Sequence, residues 1–127
     1  VRVLALDYGL ARTGVAISDE TGSIARPLTV VARAGSVAGL ETVRDLVNAE
    51  GAAMVVVGLP VSLDGAEHQQ AREVRSFVGR LRQTIDVPVV LYDERFTTTL
   101  ARRRGGASEL DARAAALILE DYLTSVT

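Results

Sequence analysis

From Ala53 to Leu59 the chain reads Ala-Met-Val-Val-Val-Gly-Leu, with no charged or hydrogen-bonding side chain. A continuous apolar run of this length is a strand buried on both faces, so it belongs in the middle of a sheet with both faces covered. Arg2 to Asp7, built on Val3, Leu4, Ala5 and Leu6, and Val87 to Tyr92 read as two more buried strands. Between Ala53–Leu59 and Val87–Tyr92 the period changes. Val74, Phe77, Val78, Leu81 and Ile85 recur at i, i+3, i+4, i+7 and i+11, as on one face of a helix. Leu40, Val43, Leu46 and Val47 repeat that spacing ahead of the first strand of the pair, with Gly51 as the stop. A doubly covered sheet with helical crossovers is the consequence.

The remaining elements complete the order. Arg12 to Ser18 reads as a strand, and the polar turn Asp19-Glu20-Thr21-Gly22 joins it to another at about Ile24 to Ala32. Short connections make the first three strands an antiparallel meander. Asp64 with Glu67 has the form of a capping box for the helix that carries Phe77. Thr97 to Arg104 reads as a short helix, Gly105-Gly106 as a break, and Ser108 as the cap of a last helix through about Leu123. The expected fold is α/β: one domain over residues 1–127, a five-stranded mixed sheet in the order β-β-β-α-β-α-β-α-α with helices on both faces. At 127 residues such a domain buries roughly two-thirds of its unfolded surface and needs no metal or disulfide staple.

Composition narrows the chemistry. With no cysteine, a disulfide scaffold, a thiol nucleophile and a cysteine zinc site are excluded. No apolar run approaches the ~18 residues of a membrane span, and no signal-peptide pattern opens the chain, so a soluble cytoplasmic protein is expected. All 14 cationic residues are Arg, against 16 acidic ones, for a net charge of −2. That is not the overall footprint of a nucleic-acid binder, so any such grip must be local, with Arg102-Arg103-Arg104 the obvious patch. The same run also suits a solvated helix face. Two Phe, three Tyr and no Trp make a poor base-stacking platform.

Three strands end in residues that do not belong in a core. The first ends in Asp7, the central one in Gly58-Leu59-Pro60 with Asp64 beyond, and the last in Asp93-Glu94-Arg95. Right-handed crossovers make these strands parallel, which puts their carboxyl ends on one edge of the sheet, where open α/β sheets hold ligands. Asp111 opens the final helix, whose Ala114, Ala115 and Ala116 allow close packing on the sheet. Carboxylates gathered from such distant positions repel unless a hard cation neutralises them. Without His or Cys the set favours Mg²⁺ or Mn²⁺. Each acid also has a plainer reading: Asp7 as an Asx turn before Gly9, Glu94 as a surface partner of Arg95, Asp111 as a first-turn charge on the helix dipole. Asp93 is the substitute for Glu94. Arg12, in the hairpin beside Asp7, could reach a phosphate bidentately. His68 reads as an exposed helix-start residue and not as a general base.

Four blocks in order carry a resemblance over nearly the whole chain. Leu6-Asp7-Tyr8-Gly9 with Arg12-Thr13-Gly14-Val15-Ala16, Val57-Gly58-Leu59-Pro60 with Asp64-Gly65, Asp93-Glu94-Arg95 with Thr97-Thr98, and Asp111 ahead of Ala114-Ala115 and Ile118-Leu119 are similar to the YqgF/RuvX family. The resemblance implies a ribonuclease-H-like fold related to Holliday-junction resolvases, in a family described as resolvases or as nucleases that mature the 5′ end of 16S ribosomal RNA. Carried over by position, the family's acidic triad falls on Asp7, Glu94 and Asp111. Only Gly105 to Leu110 separate the Arg run from Asp111, a shorter and less basic stretch than is usual in the family.

The leading expectation is therefore a nuclease using Mg²⁺ or Mn²⁺, with Asp7 bridging two ions and Glu94 and Asp111 each holding one. Arg12, Arg95, Arg102, Arg103 and Arg104 are the expected nucleic-acid contacts, because each group accompanies one of the acids in sequence. Precursor 16S rRNA is the favoured substrate and branched DNA the alternative, the latter calling for a twofold homodimer that cuts symmetrically. An ATP-binding lobe also begins Asp-x-Gly-x-x-x-x-Gly, as Asp7, Gly9 and Gly14 do, but that architecture needs two lobes. A non-catalytic RNA-binding or ribosome-assembly module is the reading from another class.

Overall fold

The structure is a computed structural model and describes residues 1–62, 64–94 and 112–126. Its elements are β1 (Arg2–Asp7), β2 (Arg12–Ser18), β3 (Ala25–Ala32), α1 (Val37–Glu50), β4 (Ala52–Leu59), α2 (Gln69–Thr84), β5 (Val89–Asp93) and α3 (Arg113–Ser125). The sheet order is β3-β2-β1-β4-β5. β1, β2 and β3 are antiparallel neighbours, whereas β4 runs parallel to β1 and β5 parallel to β4. The meander and the two parallel crossovers are those expected from the sequence, and β4 lies inside the sheet between β1 and β5.

Strand alternation divides the core in two. Leu4, Leu6, Val55 and Val57 face α1 and α2, where they pack with Val43, Val47, Val74, Phe77 and Leu81. Val3, Ala5, Ala16 and Val56 face the other way, onto Ala115, Ile118 and Leu119 of α3. The small residues early in α3 let that single helix sit close across the strands. At the base of β1 the ladder is completed by a side chain: the buried Ser18 hydroxyl accepts a hydrogen bond of 2.8 Å from the Val3 N–H.

The helix boundaries have local causes. Ser36 caps α1 by accepting from the Gly39 N–H at 3.0 Å, and Gly51 ends it in the left-handed region at φ 64°. The capping box expected from Asp64 and Glu67 does not form. Asp64 accepts from the Ser62 hydroxyl and, at 2.9 Å, from the Ala66 N–H, closing a turn of its own. Glu67 takes Arg75 in a two-pronged pair at 2.6 and 2.7 Å. Both acids are thus engaged elsewhere, and α2 starts at Gln69 behind an exposed His68 that makes no side-chain cap. The expected short helix at 97–104, the break at Gly105-Gly106 and the cap at Ser108 lie outside the described residues. Among those described, no helix is long and apolar enough to cross a membrane.

Candidate active site

Asp7 closes β1, and pairing fixes its neighbours. It stands opposite Gly14 on β2, while Leu6 pairs with Val57 on β4, which makes Gly58 the next β4 position alongside it. Gly58 in turn pairs with Tyr92 of β5. Alternation decides which way each points. Asp7 follows Val3 and Ala5 on the α3 face, Gly58 follows Val56, and Gly14 is two residues from Ala16. Asp7 is therefore flanked on the α3 face by two positions without side chains. It is 5% exposed, and its Oδ1 is closed off from solvent.

Glu94 reaches the same place from β5. Its N–H donates to the Leu59 carbonyl at 3.2 Å, which extends the β4–β5 pairing by one residue. It shares the face of Tyr92, and its side chain is 0% exposed. The carboxylate lies over Gly58, one strand away from Asp7, and neighbouring strands are about 4.8 Å apart. Asp93, by contrast, is exposed and alternates to the opposite side, so Glu94 and not Asp93 lies on the face of Asp7.

Three devices hold the end of β1. The Tyr8 ring is buried on the α2 face and stacks on Phe77, with centroids 4.4 Å apart and planes 21° from parallel. The buried Thr13 hydroxyl lies 3.4 Å from both the N–H and the carbonyl of Gly9, across the hairpin. A Cβ on Gly9 would lie 2.5 Å from the Arg12 carbonyl oxygen, so the loop requires glycine there. Arg12 is exposed at the start of β2, two residues from Gly14 and on the face of Asp7.

The helix on this face has a defined direction. Leu123 and Thr124 of α3 line a groove of about 580 Å³ with Thr21 to Ala25, at the far end of the sheet from Asp7. The first turn of α3, from Ala112, is consequently at the end that carries Asp7 and Glu94. Asp111, Arg95, Arg102, Arg103 and Arg104 lie outside the described residues. Among those described, no group of three His, Cys, Asp or Glu side chains forms. Asp7 and Glu94 are instead two buried carboxylates on one face of the sheet, without His or Cys, a donor chemistry suited to a hard divalent cation such as Mg²⁺ or Mn²⁺. Asp64 is exposed and its carboxyl is held below the usual range by the Ser62 hydroxyl and then the Ala66 N–H; it does not join the pair. His68 is equally exposed.

Sequence reasoning missed Tyr8 and the reason for Gly58. A glycine interrupting the apolar run of a central strand signals a close approach, and that was the available clue.

A mixed five-stranded sheet with helices on both faces, one buried acid ending its first strand and another just beyond its last, defines a ribonuclease-H-like fold. Solved structures match it throughout. RuvC of Thermus thermophilus superposes with a TM-score of 0.62 at 18% identity, covering 99% of this chain and 96% of that one. The fowlpox virus Holliday junction resolvase superposes with a TM-score of 0.53 at 12% identity, over 100% of both chains. The family model "RuvX: Holliday junction resolvase" matches residues 1–125. The chain belongs to the RuvX family. A relative from Thermoanaerobacter pseudethanolicus is 36% identical over 98% of this chain and 97% of its own length. One from Anaplasma marginale is 40% identical over 96% of this chain and 83% of its own. Both carry the name "Putative pre-16S rRNA nuclease".

Proposed function

We propose that this nuclease uses Mg²⁺ or Mn²⁺ to hydrolyse phosphodiester bonds in structured RNA, with the 5′ end of precursor 16S rRNA as its substrate. The observation that supports the reading is the burial of both Asp7 and Glu94 on the α3 face at the ends of the parallel strands. Asp7, Glu94 and Asp111 are the residues that hold the cation, Asp111 being the residue before the first turn of α3. A hard divalent cation bound there supplies Lewis acidity and positive charge for phosphodiester cleavage. The protein's own part is to fix the ligands: Tyr8 and Thr13 pin the strand end behind Asp7, and the Leu59 carbonyl holds the Glu94 backbone. Arg12 contacts substrate phosphate on the same face, and Arg95, Arg102, Arg103 and Arg104 extend that grip.

The family description supports branched DNA as the alternative substrate, for which the protein would act as a homodimer. A precursor 16S rRNA, a single-stranded RNA and a four-way DNA junction, each incubated with Mn²⁺ in parallel, separate the two. Precursor RNA is expected to be cut first. Replacing Asp7 or Glu94 with Ala should lower cleavage by more than about 100-fold, since even residues that merely support a metal ligand cost 10–100-fold when removed. Binding without product, unaltered by Mn²⁺, identifies a non-catalytic RNA-binding module instead.

A further inference from the structure

Gly58 is the one residue of β4 between Val55 and Leu59 without a side chain, and glycine weakens a strand interior. Its backbone conformation does not ask for glycine: among the described residues the positive-φ glycines are Gly22, Gly51 and Gly65. Space does. A Cβ at this position would run into Glu94 Oε2 and would lie 2.8 Å from Glu94 Cδ and 2.8 Å from Ile118 Cδ1, closer than Cβ atoms come to their neighbours. Ile118 is fully buried in the cluster of Val56, Ala115 and Leu119, so it has little room to retreat. Glu94 is fully buried too, and its backbone is tied to Leu59, so its carboxylate is the group that must be displaced.

We infer that Gly58 is a positioning residue: the side chain it lacks is the seat that places the Glu94 carboxylate next to Asp7. The inference rests on the reading of Asp7 and Glu94 as a cation-holding pair. A methyl group at Gly58 would lift one carboxylate away from the other without removing either. Cation affinity should then fall although both acids remain, and the steric cost should depend on whether Glu94 is present.

The test uses Mn²⁺ alone as the probe, with Gly58→Ala, Glu94→Ala and the double variant. Calorimetric titration of Gly58→Ala should show Mn²⁺ binding at least about tenfold weaker than wild type, as when a metal ligand is deprived of its support. Thermal unfolding without metal gives an independent readout. Gly58→Ala should lower Tm in the wild-type background, and the drop should at least halve in the Glu94→Ala background, where Ile118 can turn into the vacated volume. Should Gly58→Ala fail to fold, recovery of folding in the double variant carries the same information. Unchanged Mn²⁺ affinity in Gly58→Ala overturns the inference, as does a Tm drop from Gly58→Ala that is as large in the Glu94→Ala background as in the wild type. Glu94→Ala binding Mn²⁺ like wild type would instead remove Glu94 from the cation site and overturn the inference together with the reading it rests on.

Discussion

Asp19 shows how one side chain can organise a turn. Its carboxylate accepts from the Thr21 hydroxyl at 2.6 Å and from the Ser23 and Ile24 N–H groups at 2.8 and 3.1 Å, joining β2 to β3. The Thr21 hydroxyl, then the two backbone donors, lower its pKa to about 2. The folded state therefore holds this proton less tightly than the unfolded chain, where Asp titrates near ~3.9. A depressed folded pKa stabilises above the unfolded value, and that contribution drains away as pH falls from about 4 to about 2. Asp19→Asn keeps an acceptor oxygen but cannot titrate. In urea unfolding between pH 2 and 5, the wild type should lose more stability than the variant on descending through that window. Parallel pH profiles would show that the turn does not hold its donors in solution. The same scale explains Glu94: its identity as an acid is visible in the sequence, but its complete burial depends on the glycine across the ladder.

Among the elements, α1 is the one whose limits follow most directly from local chemistry. The Ser36 hydroxyl accepts from Gly39 N–H and donates to the Arg33 carbonyl at 2.7 Å, while the Gly51 N–H meets the Asn48 carbonyl at 3.3 Å. Ser36→Ala should cost about 1 kcal/mol, the usual value of an N-cap. Chemical denaturation measures it, and cleavage activity should be unaffected because α1 packs on the face opposite Asp7. β1 and β2 match the spans read from the sequence, since their apolar stretches end abruptly at Asp7 and Ser18. The start of α2 does not, because Asp64 and Glu67 had nearer partners in Ser62, Ala66 and Arg75 than the helix end. A capping signature names residues able to cap; competition among hydrogen-bond partners decides whether they do.

For the whole molecule, a net charge of −2 means that substrate grip must come from local guanidinium groups acting within a Debye length of about 8–10 Å. Arg2, Arg26 and Arg75 are committed to Glu50 and Glu67. Arg12 stands on the face of Asp7, and the Arg102–Arg104 run is the largest cationic block available to extend it. Replacing Arg102, Arg103 and Arg104 with Ala should weaken nucleic-acid binding and reduce the log–log salt slope by about 0.7–0.9 for each phosphate that the protein no longer neutralises. An unaltered slope would mark the run as a solvated face. The sequence by itself determined the α/β class, the strand-end acids and the absence of thiol chemistry, because hydrophobic period and residue type are local properties. Only the tertiary structure decided that Glu94 is buried over Gly58 while Asp93 is exposed, that Tyr8 stacks on Phe77 behind Asp7, and that Gly58 leaves the space the Glu94 carboxylate occupies. Those outcomes depend on strand register and on which face of the sheet α3 covers. Register and face arise from contacts between distant parts of the chain, which no local pattern encodes.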